Sequence, residues 1–191
     1  MKHIIPDQSV LVSQSEVLSL HLAADQLSLF FPIFQKGVTV PATVGCSLKS
    51  LLVEQFIIPD DYVTDRITTI FFDNSPVDDL DSTIIQDGSR VTLSAAMPGL
   101  VGATMRRGSF YAALRQGISH VLASGTATGQ HGTVRLKLFN LLMAEIGPLI
   151  LARGLILGKN ELDELQLSLP ALPKYRLDDN SRVLLSVTFS M

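Results

Sequence analysis

Apolar and polar positions alternate most cleanly at Arg90-Val91-Thr92-Leu93, where Val91 and Leu93 point one way and Arg90 and Thr92 the other; this spacing predicts a strand. The Asp87-Gly88 pair ahead of it predicts a tight turn. The final stretch, SRVLLSVTFSM, sets Val183, Leu185, Val187 and Phe189 against polar neighbours and predicts a terminal strand. Ile67 to Phe72 is β-branched and aromatic, which favours a strand, and Asp73-Asn74-Ser75-Pro76 is its closing turn. From Val17 to Val40 the sequence is too uniformly apolar to show a period. The breakers Ala23-Ala24-Asp25-Gln26, Pro32 and Lys36-Gly37 divide it into two or three strands, read as a hairpin.

Helical spacing appears elsewhere. Leu48, Leu51, Leu52 and Phe56 recur on one helix face, with Thr43 or Ser47 as cap and Pro59 beyond the end. Ser109 to Ala123 predicts a helix capped by Ser109, with Leu114, Ile118, Val121 and Leu122 on its apolar face and Gly117 as a weak point. After the glycine-rich loop SGTATGQHG, Val134 to Ala152 reads as a long apolar helix interrupted at Gly147-Pro148, and Gly154 stops it. LILG and ELQLSL then add short strands around a turn centred on Asn160. Ser181 to Ser186 repeats Ser89 to Ser94 at five of six positions, each time after an Asp-Gly or Asp-Asn turn. Convergent turn-and-strand chemistry accounts for so short a match better than duplication does.

Within the first hundred residues the order is strand, strand, helix, strand, short connection, strand. That order predicts an α+β fold of the β-grasp type, a mixed sheet with one helix across its apolar face. The division expected is a β-grasp domain over residues 1–100 and a C-terminal α+β extension, helix-rich and ending in a strand, over 101–191. The segments TVGCSLKSLL, FFDNSPVDDL and IIQDGSRVTLSAAMPG resemble the ubiquitin-like sulfur carriers, namely the small subunit of molybdopterin synthase and the thiamine-pathway carrier. The resemblance covers Val17 to Gly99. Asn74-Ser75 stands where those proteins have Asn-Gly, and Asp87-Gly88-Ser89 where they have Asp-Gly-Asp. It implies a ubiquitin-like sheet and, in the carriers, a C-terminal glycine that is adenylated and then thiocarboxylated. Here the equivalent glycine is Gly99, with 92 residues after it, so carrier activity requires cleavage after Gly99, Gly102 or Gly108.

Composition narrows the function. The chain of 191 residues is 47% hydrophobic and 17% charged, a globular and apolar balance. Its net charge of −3 argues against nucleic acid as the main partner. The lone cysteine, Cys46, has no internal disulfide partner, and the N-terminal residues lack a signal-peptide core, which points to the cytoplasm. Leu141 to Leu157 is broken by Glu145, Gly147, Pro148, Arg153 and Gly154 and is a poor membrane span.

The chemistry-bearing candidates are few. Gly99, Gly102, Arg106, Arg107 and Ser109, in the loop PGLVGATMRRGS before a predicted helix, make a candidate anion cradle; the loop matches neither a P-loop nor a dinucleotide fingerprint. His3, His21, His120 and His131 are scattered, and no metal or other cofactor is expected. Cys46 at a helix start is a small buried hydrophobe or, less simply, an activated thiol. The acidic run Asp73 to Asp81 reads as a solvated turn, and no catalytic triad order is visible. The expected role is a non-catalytic binding or assembly protein whose partner is another protein or a second copy, a homo-oligomer using its sheet faces and apolar C-terminal helix. The alternatives are an anion-binding protein or enzyme at residues 99–109, and a sulfur-carrier precursor.

Overall fold

In the computed structural model, which describes residues 16–115, 129–169, 172 and 177–190, the chain alternates short helices with eight strands. Strand β1 (Glu16–Ala23) leads through a 3-10 segment (Ala24–Phe30) into α1 (Phe31–Lys36) and β2 (Val38–Val44). Helix α2 (Leu48–Ser50) continues as a π-helical turn (Leu51–Gln55) and is followed by α3 (Asp60–Asp65), β3 (Thr69–Phe72), β4 (Ser75–Pro76) and β5 (Ser89–Ser94). Then come α4 (Gly99–Met105), a 3-10 segment (Phe110–Arg115), β6 (Gln130–Phe139), α5 (Leu142–Glu145) and α6 (Gly147–Arg153). The series closes with β7 (Leu155–Gly158), α7 (Lys159–Ser168) and β8 (Arg182–Ser190).

All eight strands join one mixed sheet in the order β1-β8-β7-β2-β6-β5-β3-β4, so the protein is α+β as its sequence predicts. The β5–β6 and β1–β8 pairs are parallel and the others antiparallel. Strands from before and after residue 100 alternate: β6 lies between β2 and β5. The two repeated hexapeptides, Ser89 to Ser94 and Ser181 to Ser186, both fall on strands that pair in parallel, β5 with β6 and β8 with β1.

Several local expectations hold. The Ser47 hydroxyl accepts from the Ser50 N–H at 3.1 Å and caps α2. Asp73 and Asn74 both take left-handed backbone, φ 47° and 69°, which is the two-residue turn that joins β3 to β4. The Asp73 carboxylate fixes this turn by accepting from the Arg90 N–H at 2.8 Å. Pro148 lies in the first turn of α6, where a missing N–H costs no intrahelical bond.

Other expectations are overturned. Residues 17–40 form no hairpin: LSLFFPIF runs through the 3-10 segment into α1, and β1 pairs with β8, not β2. The 134–152 helix is in fact the end of β6 followed by α5 and α6. Val134, Leu136 and Leu138 are buried while Thr133, Arg135, Lys137 and Phe139 alternate with them, the two-residue period of a strand. ELQLSL is the end of α7, with Leu162 and Leu165 buried three apart on its inner face, and Asn160 belongs to the same helix. The loop after Pro98 is largely α4. Of the helix expected over Ser109 to Ala123, Phe110–Arg115 is a 3-10 segment, and 116–128 lie outside the described residues.

Register explains how one face becomes core. Val38 pairs with Leu136, which pairs in turn with Val91, and Leu138 pairs with Leu93; all are essentially inaccessible. Alpha helices pack on the sheet, α1 against β6, α6 against β8 and α7 against β7. Gly37 and Gly154 end α1 and α6 with nearly the same backbone, φ 103° and ψ 139° against φ 108° and ψ 141°, a conformation open to glycine. Each glycine turns a helix directly into a strand, β2 or β7, and these two strands meet at Thr39 and Ile156.

Candidate functional site

The same register that buries Val38, Leu136 and Val91 puts Thr39, Arg135 and Arg90 side by side on the opposite face. One step along the strands, Thr92 pairs with Lys137. Neighbouring strands are about 4.8 Å apart, so Arg90 and Arg135 are like charges directly opposite each other, an arrangement that lowers sheet stability. Core packing explains their neighbours, but it does not call for this pair.

Above these strands lies an open cleft of about 470 Å³. Its floor is Arg90 and Thr92 of β5, Thr133, Arg135 and Lys137 of β6, and Thr39 of β2; Lys36 at the end of α1 and Asn74 at the β3–β4 turn form its walls. Among the described residues four cations line it and no carboxylate does. Gly37 packs closely against two of these cations: a Cβ there would lie 3.1 Å from Lys137 Cγ and 3.2 Å from Arg135 Nε.

Two of the cations already have partners. Arg135 Nη1 donates to Glu161 Oε1 at 2.7 Å and to Thr39 Oγ1 at 3.1 Å. The Lys36 ammonium pairs with Glu164, so both acids come from α7. Arg90 and Lys137 form no ion pair among the described residues. At the far end Asp87 accepts from the Thr133 N–H at 2.8 Å and from its hydroxyl at 3.1 Å, so that carboxylate is occupied by local donors, as Asp73 is.

The residues singled out at 99–109 fall differently. Gly99 opens α4 and is exposed, Gly102 is buried against the Met97 carbonyl, and the Ser109 hydroxyl donates to Ala103 O at 2.8 Å. Arg106 and Arg107 do share a shallow cleft with Gly108, but Asp65 and Asp78 line it as well. Arg107 Nη2 donates to Val63 O at 2.8 Å, and Arg115 pairs with Asp78 at 2.7 Å. Gly99, Gly102 and Ser109 are not among the residues lining this cleft.

The remaining candidates resolve individually. Burial pushes the Cys46 thiol up from its ordinary value, the direction opposite to activation; Sγ donates to Thr43 O at 3.2 Å and receives Gln55 Nε2 at 3.1 Å. His21 Nδ1 lies 3.1 Å from Thr188 Oγ1, His131 is exposed on β6, and His3 and His120 fall outside the described residues. Among the described residues no three His, Cys, Asp or Glu side chains converge as metal ligands, and no helix is long and apolar enough to cross a membrane.

The alternation in the sequence puts Arg90 on the face opposite Val91 and Leu93, but a helix over Val134 to Ala152 would carry Arg135 and Lys137, which hides their meeting with Arg90. The alternation of Val134, Leu136 and Leu138 was the signal that could have revealed it. Comparison with family models, curated proteins and solved structures finds no match to this chain.

Proposed function

We propose that this chain is a non-catalytic binding and assembly protein that holds an anionic partner group on the open face of its sheet. The observation that carries the reading is the Arg90–Arg135 pair with Lys137 beside it, a concentration of positive charge on a chain whose net charge is −3. Threonine hydroxyls and the Asn74 amide around the cations suit recognition, and no Ser, Cys or His is among the described residues that line the cleft.

The sheet order also supports a β-grasp-like reading. In β2-β6-β5-β3-β4 a parallel pair is central, and the helix built from residues 48–55 connects β2 to β3. On this reading the strand that would come first in a ubiquitin-like fold is supplied from residues 130–139. On the same reading any kinship with the sulfur carriers is one of architecture, and the chain's role is binding in the cytoplasm. The assembly part of the proposal rests on a different surface, where Leu100, Phe110 and Leu114 are 72%, 91% and 75% exposed.

Titration calorimetry with citrate tests the binding role. Citrate should bind the intact chain at low ionic strength, and the R90Q/K137Q double variant should lose at least about tenfold in affinity while keeping its far-ultraviolet circular dichroism. Equal citrate binding by both proteins would remove the open face from the account.

A further inference from the structure

We propose that the cleft takes one phosphate monoester dianion, carried by a small non-aromatic molecule; this rests on the anion-binding reading of the open sheet face and specifies its ligand. The charge count gives the dianion. Glu161 and Glu164 engage Arg135 and Lys36, which leaves Arg90 and Lys137 as the two cations without an ion pair among the described residues. A phosphate monoester carries about −1.5 to −2 charges near neutral pH and offers three acceptor oxygens. Arg90 supplies a planar guanidinium fork, Lys137 a compact ammonium, and Thr92 a hydroxyl in register with Lys137, so the donors are of the kinds that bind phosphate.

The cleft also limits what the phosphate is attached to. Its volume of about 470 Å³ falls within the range of about 300 to 1,000 Å³ typical of small-molecule sites. Among the described residues no Phe, Tyr, Trp or His lines it, so no aromatic ring is offered there for a nucleobase to stack on. A small phosphorylated polyol or acid fits this chemistry.

The pH dependence has a diagnostic sign. The titratable groups around the cleft are Glu161 and Glu164 on α7, Asp73 at the β3–β4 turn, Asp87 before β5, and exposed His131 on β6, on the same face as Thr133 and Arg135. Protonating any of them makes the surroundings more positive, so each would tighten anion binding as pH falls. A monoester gains its second charge as pH rises through about 6, which tightens binding in the opposite direction.

Calorimetry on the full chain with methyl phosphate, dimethyl phosphate, citrate and a short phosphoserine peptide tests the assignment. Methyl phosphate should tighten between about pH 5 and pH 7.5 and bind about tenfold better at the higher pH than dimethyl phosphate, which remains a monoanion. R90Q and K137Q should each weaken methyl phosphate about tenfold. Binding of citrate with no preference between the two methyl phosphates would overturn the monoester assignment and leave the anion-binding face standing. Absence of binding by every anion would overturn both. A phosphoserine peptide that binds about tenfold tighter than methyl phosphate would overturn the small-molecule source.

Discussion

Individual residues join parts of the molecule that are distant in sequence. Glu145 accepts from Arg66 Nη2 at 2.5 Å and Nε at 3.0 Å and from the Tyr62 hydroxyl, linking α5 to α3. The Arg66 bonds, followed by the Tyr62 bond, hold the Glu145 carboxyl down at about 2, against an ordinary value of 4.5. A carboxylate whose folded value is depressed contributes stability that is present above its unfolded value and lost as pH falls through the folded one. Glu145→Gln should therefore be less stable than the parent at pH 7, with the gap closing between about pH 4.5 and pH 2; denaturant midpoints measured across that range check it. A gap independent of pH would contradict this role. Arg153 is a second tie: it donates to Pro41 O at 3.0 Å and to Gln55 O at 2.6 Å, and lies 5.5 Å from the Phe56 ring centroid. Its charge is used to satisfy carbonyls between elements, which is why a conspicuous arginine need not mark a ligand site.

At the scale of elements, β6 does the most. It lies between β2 and β5, supplies Leu136 and Leu138 to the core, and presents Arg135 and Lys137 on the other face. Leu136→Ala should cost about 3 kcal/mol of unfolding free energy, because the fully buried site between two strands has little room to collapse. A loss below about 1 kcal/mol in denaturant melts would show that β6 is not central to the core. The segment formed by α4 and Phe110–Arg115 behaves differently, since it exposes Leu100, Phe110 and Leu114. Sedimentation at tens of micromolar should show an oligomer that F110S/L114S shifts toward monomer, and a parent chain that is already monomeric would remove self-association through this segment. Local sequence made β3, β5, β8, the Ser47 cap and the Asp73-Asn74 turn legible, because their signals lie within a few residues. It misplaced β6 because the strand's alternation runs straight into the apolar residues of α5 and α6. The hairpin at 17–40 failed for another reason: β1 takes its partner from β8, at the far end of the chain, and no neighbouring residue encodes that choice.

For the whole molecule, the consequential feature is that both halves build one sheet. Arg90 comes from the first half and Arg135 and Lys137 from the second, so the cationic face exists only in the assembled order. Its components are visible one at a time, but their convergence depends on register across strands separated by about forty residues, whereas the glycines, arginines and expected helix start of the 99–109 loop lie within one short stretch. The most direct measurement of the central claim is an amide chemical-shift map during citrate titration of the isotope-labelled chain. The account predicts saturable shifts centred on Arg90, Thr92, Thr133, Arg135 and Lys137, suppressed in R90Q/K137Q. Shifts centred instead on Arg106 to Ser109, with the sheet face unchanged, would contradict it.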